Sequence, residues 1–193
     1  MEVPVIRRFL LILLILAGAG SACSSSVVVL SPTSYDGAYR PTVLNYAATS
    51  GGILVEVVGN PFDVPKADLE SAITSAMTGS HFGQQVDFVT TPPEGFRSPY
   101  RIVILFDPTQ NYTANKLCKQ GKSIQPGTGE IVKVHAALCA NGAALTGVSG
   151  RIGDVTGQDD PQFRRLISQI TMNLLPPLNP DRRSHSSGFF SIG

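Results

Sequence analysis

The chain has 193 residues, enough for one domain of ordinary size with extensions. Charged residues make up only 15% and the formal charge is +1, so the composition supplies no broad basic surface for nucleic acid, and none is expected as a partner. Gly (19) and Pro (14) are both frequent, which predicts long loops, while internal repeats, an acidic tail and long charge runs are all missing.

The chain opens on an address. Arg7 and Arg8 precede an unbroken apolar run over 9–17 (FLLILLILA), and the small residues Gly18, Ala19, Gly20, Ser21 and Ala22 follow. That three-part pattern predicts an export signal over residues 1–22. The run is shorter than the roughly 20 residues needed to cross a ~30 Å hydrocarbon core. An uncleaved N-terminal anchor is the competing reading, but an anchor has no use for the small-residue segment. Gly20-Ser21-Ala22-Cys23 resembles the lipobox of bacterial lipoproteins, with Gly20 where that pattern usually has Leu. The resemblance implies cleavage before Cys23 and lipid on that cysteine. Several acyl chains on one residue give stable membrane attachment. An ordinary secretory signal cut after Ala22 would leave Cys23 a free thiol. Ser24 stands where enterobacterial lipoproteins of the inner membrane carry Asp, which implies an outer-membrane lipoprotein facing the periplasm.

Lipidation of Cys23 leaves Cys118 and Cys139, an even pair, for an oxidising compartment. A disulfide between them is expected, and it would tie a long polar loop to the end of a hairpin. The alternative is a catalytic or metal-binding thiol, but neither cysteine lies in a CxxC or beside a His/Asp cluster.

Residues 23–50, rich in Ser, Pro, Thr and Tyr, read as a flexible tether. A domain follows over 51–178. Residues 53–58 (ILVEVV) form the strongest strand signal. A helix is expected over 65–78, with Asp63 as its cap, a stripe of Leu69, Ile73, Ala76 and Met77, and Gly79 as terminator. Short alternation at 86–90 and the apolar run 100–106 (YRIVILF) predict two more strands, the second central. Residues 109–129 read as a polar loop. Asn141-Gly142 between two alternating runs, 131–140 and 143–152, is a strong hairpin signal. A two-residue turn would pair Leu138 with Leu145 and Ala136 with Gly147, burying Val132, Val134, Ala136, Leu138 and Leu145 and turning Cys139 to the other face. Asp159-Asp160-Pro161 opens a last helix with the stripe Phe163, Leu166, Ile167, Ile170 and Leu174. Residues 179–193 read as a disordered tail. The order β-α-β-β-β-β-α predicts an α+β two-layer sandwich: a mostly antiparallel sheet of about five strands with two helices on one face.

Chemistry-bearing patterns are sparse. Gly121-Lys122-Ser123 has the end of a phosphate loop, but Lys116 occupies the position of its first Gly. Ser149 lies in the hairpin and not on a strand-to-helix elbow. His81, His135 and His185 have no ligand spacing among them, and His135 reads as a solvent-side strand residue about 13 Å from Cys139. Asp154, Asp159, Asp160 and Asp107 lack a calcium-loop pattern, and Asp159 and Asp160 are accounted for as caps. No catalytic residue, metal ligand or cofactor site is expected.

Taken together, the Cys23 site, Gly59-Asn60-Pro61-Phe62 after a strand, Tyr100-Arg101-Ile102-Val103 leading into Phe106-Asp107-Pro108, and the pairs Leu117-Cys118 and Leu138-Cys139 resemble small proteobacterial lipoproteins of unknown function. The resemblance covers about 50–176 and implies no activity. The functional expectation is a non-enzymatic interaction or assembly factor of the cell envelope, held to the membrane through lipid on Cys23 and meeting an envelope protein partner. A small-ligand-binding or transport-accessory lipoprotein is the alternative.

Overall fold

The apolar run 100–106 sits where an unbroken hydrophobic strand must sit, covered on both faces, with Ile102 through Phe106 fully buried. The computed structural model describes residues 27–182; residues 1–26, with the expected export signal and Cys23, and residues 183–193 lie outside them. Within them one sheet holds β1 (Val29–Leu30), β2 (Ser34–Tyr35), β3 (Ile53–Val58), β4 (Phe88–Val89), β5 (Tyr100–Phe106), β6 (Val132–Ala140) and β7 (Ala143–Ile152), in the order β1-β7-β6-β5-β3-β4, with β2 also on β7. The helices are α1 (Val43–Thr49), α2 (Lys66–Met77), α3 (Ala114–Gln120) and α4 (Pro161–Leu174). The fold is α+β as expected, with seven strands instead of five and four helices instead of two among the described residues.

β5, β6 and β7 run antiparallel, but β3 pairs in parallel with both β4 and β5. The cause is α2, which carries the chain back to the starting end of the sheet before β4 begins. Gly52 leads into β3 at φ 101, pressed so closely on Asp87 that a Cβ would collide with its carbonyl oxygen.

The β6–β7 hairpin turns at Asn141 (φ 49) and Gly142 (φ 85), the pair of positive values a type I′ turn demands. Its register is not the simple one. Cys139 faces Ala144, but Leu138 faces Thr146 and Ala136 faces Val148, because β7 bulges at Leu145. The extra residue reverses the alternation downstream. It puts Val148 and Ile152 on the helix face, where continuous pairing would have put Gly147 and Arg151.

α2 and α4 share one face, as expected. Leu69, Ile73 and Met77 of the first and Phe163, Leu166, Ile167, Ile170 and Leu174 of the second enter one core with Val134, Ala136 and Leu138. Pro161 occupies the first turn of α4, and the Asp160 carboxylate accepts the Gln162 N–H at 2.8 Å. α2 differs from expectation at its start. Pro65, not Asp63, is the boundary residue, and no side chain caps the helix.

Two boundaries need correction. Of the expected tether, residues 27–50 belong to the fold: β1 and β2 pair with β7, and α1 follows. Burial holds them. Tyr39, Val43, Leu44 and Ala47 enter the core, and the Tyr39 hydroxyl donates to the Pro176 carbonyl at 2.7 Å. Nor does the expected tail include Asn179, which is buried and donates to the Asp36 carbonyl at 2.8 Å. The expected loop 109–129 contains α3 and a short 3-10 turn, Gly121–Ser123, packed on the opposite face of the sheet.

Candidate functional site

The face of the sheet opposite α2 and α4 is assembled around α3. Seven residues are too few to hold a helix by propensity alone, so its fixings are explicit. The Thr113 hydroxyl accepts the Lys116 N–H, and the Asn115 side chain accepts the Ala144 N–H at 3.0 Å. Leu117 and Cys118 bury against Ala137, Cys139 and Ala144. Cys118 and Cys139 form the expected disulfide, with Cα atoms 5.5 Å apart. Cys139 reaches it because it points away from the main core.

Beside the bridge, Arg101 Nη1 lies 3.8 Å from Glu56 Oε1, and Nη2 donates to the Cys118 carbonyl. This half-buried pair joins β3 and β5 to the end of α3. Gly147 lies beneath Ala114, where any Cβ would collide.

The recesses at the surface of the described residues include three between packed elements. The first, lined by Asp68, Ser75, Gln158, Asp159 and Arg164, is a polar groove between α2 and the start of α4. A cleft of about 390 Å³ lies at the carboxyl end of β3, lined by Val57, Val58, Leu69 and Ile124 with Lys66 and Lys122. The third groove, of about 280 Å³, runs between the N-terminal arm and α3, with Ser34, Tyr112, His135 and Ser149 along it.

In this last groove the structure brings together two residues that sequence spacing kept apart. His135 and Ser149 are direct cross-strand partners. His135 is not on the solvent side, as expected, but half-buried beneath residues 112–117, because the expected loop folds over it. Its Nδ1 lies 3.3 Å from the Tyr112 carbonyl oxygen. Burial pushes the imidazole below its ordinary value, with the Tyr112 carbonyl acting the other way. No hydrogen bond joins His135 to Ser149 among the described residues.

The remaining sequence candidates are dispersed. His81 is buried against Phe88, with neither ring nitrogen partnered among the described residues, and burial pushes it below the ordinary value. Asp107 ends β5 at φ 44, and its carboxylate accepts the Lys133 N–H at 3.0 Å; burial pushes its carboxyl up. Asp160 is the α4 cap, held below the usual carboxylate range by the N–H groups of Gln162 and Thr156. Asp159 pairs with Arg164 at 3.2 Å. Cys23 and His185 lie outside the described residues. Among the described residues no cluster of three or more His, Cys, Asp or Glu could hold a metal ion, and no helix is long and apolar enough to cross a membrane.

What sequence reading missed is a row of cations. Lys116, Lys119 and Lys122 recur every third residue along α3 and the turn after it. Their period is the signal that marks 114–123 as helical. Lys133 and Arg151, cross-strand partners, continue the positive charge on the same face.

No family model and no curated protein matches the chain. Solved structures do. Two structures of the PelC dodecamer from Paraburkholderia phytofirmans, one of them a single-residue variant, are 15% and 16% identical to it. Each match covers 78% of this chain and 96% of that one, with a TM-score of 0.38. A likeness that shallow carries no functional argument.

Proposed function

We propose that the chain is a lipid-anchored envelope protein facing the periplasm, acting as a non-enzymatic interaction or assembly factor. The observation that carries this reading is the cysteine inventory. Of three cysteines, Cys118 and Cys139 are joined to each other, which suits an oxidising compartment and leaves Cys23 as the one available for lipid. Cys23 also stands directly after an export signal with small residues at its end. The outer membrane is the destination that Ser24 supports. The test is palmitate labelling with crosslinking in intact cells. Label should follow the protein, vanish in Cys23→Ser, and mark a protein that crosslinks to an envelope protein. An unlabelled, water-soluble product would sink the anchored reading.

Small-ligand binding is the second reading, favoured by the cleft at the end of β3, where an apolar wall meets Lys66 and Lys122. It expects a small anionic compound to protect the protein thermally, and Lys122→Ala to abolish that protection.

A further inference from the structure

We propose that the α3 face of the sheet docks on the anionic phospholipid surface to which Cys23 tethers the chain, fixing how the domain sits on the membrane. The proposal rests on the lipidation reading. Its first support is the separation of charge between the two faces. On α2 and α4, Lys66 is tied to Glu70 at 3.5 Å and Arg164 to Asp159 at 3.2 Å, which leaves Arg165 as the unpaired cation of those helices among the described residues. On the α3 face, Lys119, Lys122, Lys133 and Arg151 are all exposed, and none of them is in an ion pair among the described residues. Lys116 adds a further charge, 4.5 Å from the centre of the Tyr112 ring. Among the described residues three acids share this face, against these five cations. Glu56 is engaged by Arg101, and Asp107 is buried beside Lys133; Glu130 is exposed just before β6.

The second support is where the tether leaves the fold. Val29, Arg151 and Lys133 stand in one cross-strand row, so their side chains share a face. Alternation along β6 makes it the face of Cys139, hence of α3. Only residues 24–26 separate Cys23 from Val27, so at ~3.5 Å per residue Val29 lies within about 20 Å of the lipid-bearing residue. Val27 and Val29 are 71% and 43% exposed. A domain held this close must present some surface to the bilayer. The face that adjoins the anchor combines cations with apolar side chains, the combination that binds anionic headgroups.

The chain has no Trp, so one introduced indole reports alone. Gln120→Trp places it between Lys119 and Lys122; Met172→Trp places it at an exposed position of α4 as the control. The chain from Cys23 onward is coupled through the Cys23 thiol to maleimide lipid in vesicles, so attachment does not depend on cellular lipidation. Vesicles containing brominated phosphatidylglycerol should quench and blue-shift the emission of Gln120→Trp and leave Met172→Trp unchanged. Brominated phosphatidylcholine alone should do neither. Changing Lys119, Lys122, Lys133 and Arg151 together to Gln should remove the quenching from the tethered protein. In untethered Cys23→Ser protein, each neutralised charge should lower partitioning onto anionic vesicles about five-fold. Equal quenching at both positions, none at either, or quenching that survives neutralisation overturns the proposal. Quenching absent throughout, with the four-fold Gln variant losing the parent's crosslink to an envelope protein, would assign the cations to a protein partner instead and overturn it too. Palmitate labelling of the native protein reports separately on lipidation, so a failure of that reading and a failure of docking are told apart.

Discussion

The two faces of one sheet are held by different means. The α2/α4 face is held by apolar area, with Phe163 packed edge-on to Phe62 at 4.9 Å and two helices sharing a continuous core. The α3 face is held by specific ties: a disulfide, an arginine reaching a helix-end carbonyl, the Thr113 cap and the Asn115 side chain on the Ala144 N–H. A helix of twelve or fourteen residues carries enough apolar stripe to seat itself. One of seven does not, and covalent and polar fixings leave its outer side free for charge.

The largest expected effect lies on the apolar face. Phe163→Ala should cost about 3–5 kcal/mol in urea unfolding, since the side chain is fully buried among aromatic and aliphatic neighbours. Replacing Cys118 and Cys139 together by Ser should cost roughly 3 kcal/mol. Hydrogen exchange should then accelerate in α3 well before α4. Equal acceleration in both helices would erase the distinction between the faces. Arg101→Met should cost about 1–2 kcal/mol, because the Cys118 carbonyl loses its donor and Glu56 its partner.

A pH titration sharpens the contrast further. Burial lowers both His81 and His135 in the fold, so the unfolded chain binds protons first as pH falls. Stability should therefore decline as pH drops from about 7.5 through the unfolded histidine value near 6.5. His81→Leu should flatten the part due to the apolar side, and His135→Gln the part due to the α3 side. A profile unchanged in both variants would remove histidine burial as its cause. Asp160 acts lower, losing its contribution as pH falls below the ordinary carboxylate range. Smallest of all, Lys119→Gln and Lys133→Gln should leave stability within about 0.5 kcal/mol of the parent.

The apolar face was legible in the sequence. Stripes at helical spacing in 69–77 and 163–174, an unbroken run at 100–106 and Asn141-Gly142 each carry their own periodic or turn signal. The α3 face was legible only in its bridge, which cysteine parity indicates. Its helix was hidden because Lys116, Lys119 and Lys122 form a polar repeat, and pattern reading searches for apolar ones. α1 was hidden for a related reason: VLNYAAT is short, lacks a side-chain cap and is held by tertiary burial of Tyr39, Val43 and Leu44. The bulge at Leu145 has no local marker; it follows from the need to face Val148 and Ile152 inward. His135 and Ser149 could not be paired without that register.

The anchored reading is tested most directly by the intact mass and N-terminal sequence of the protein extracted with detergent from native membranes. The account predicts a chain that begins at Cys23, carries the added mass of a lipid group on that residue, and keeps Cys118 and Cys139 oxidised. A chain beginning at Cys23 with no added mass, or one still carrying residues 1–22, would contradict it.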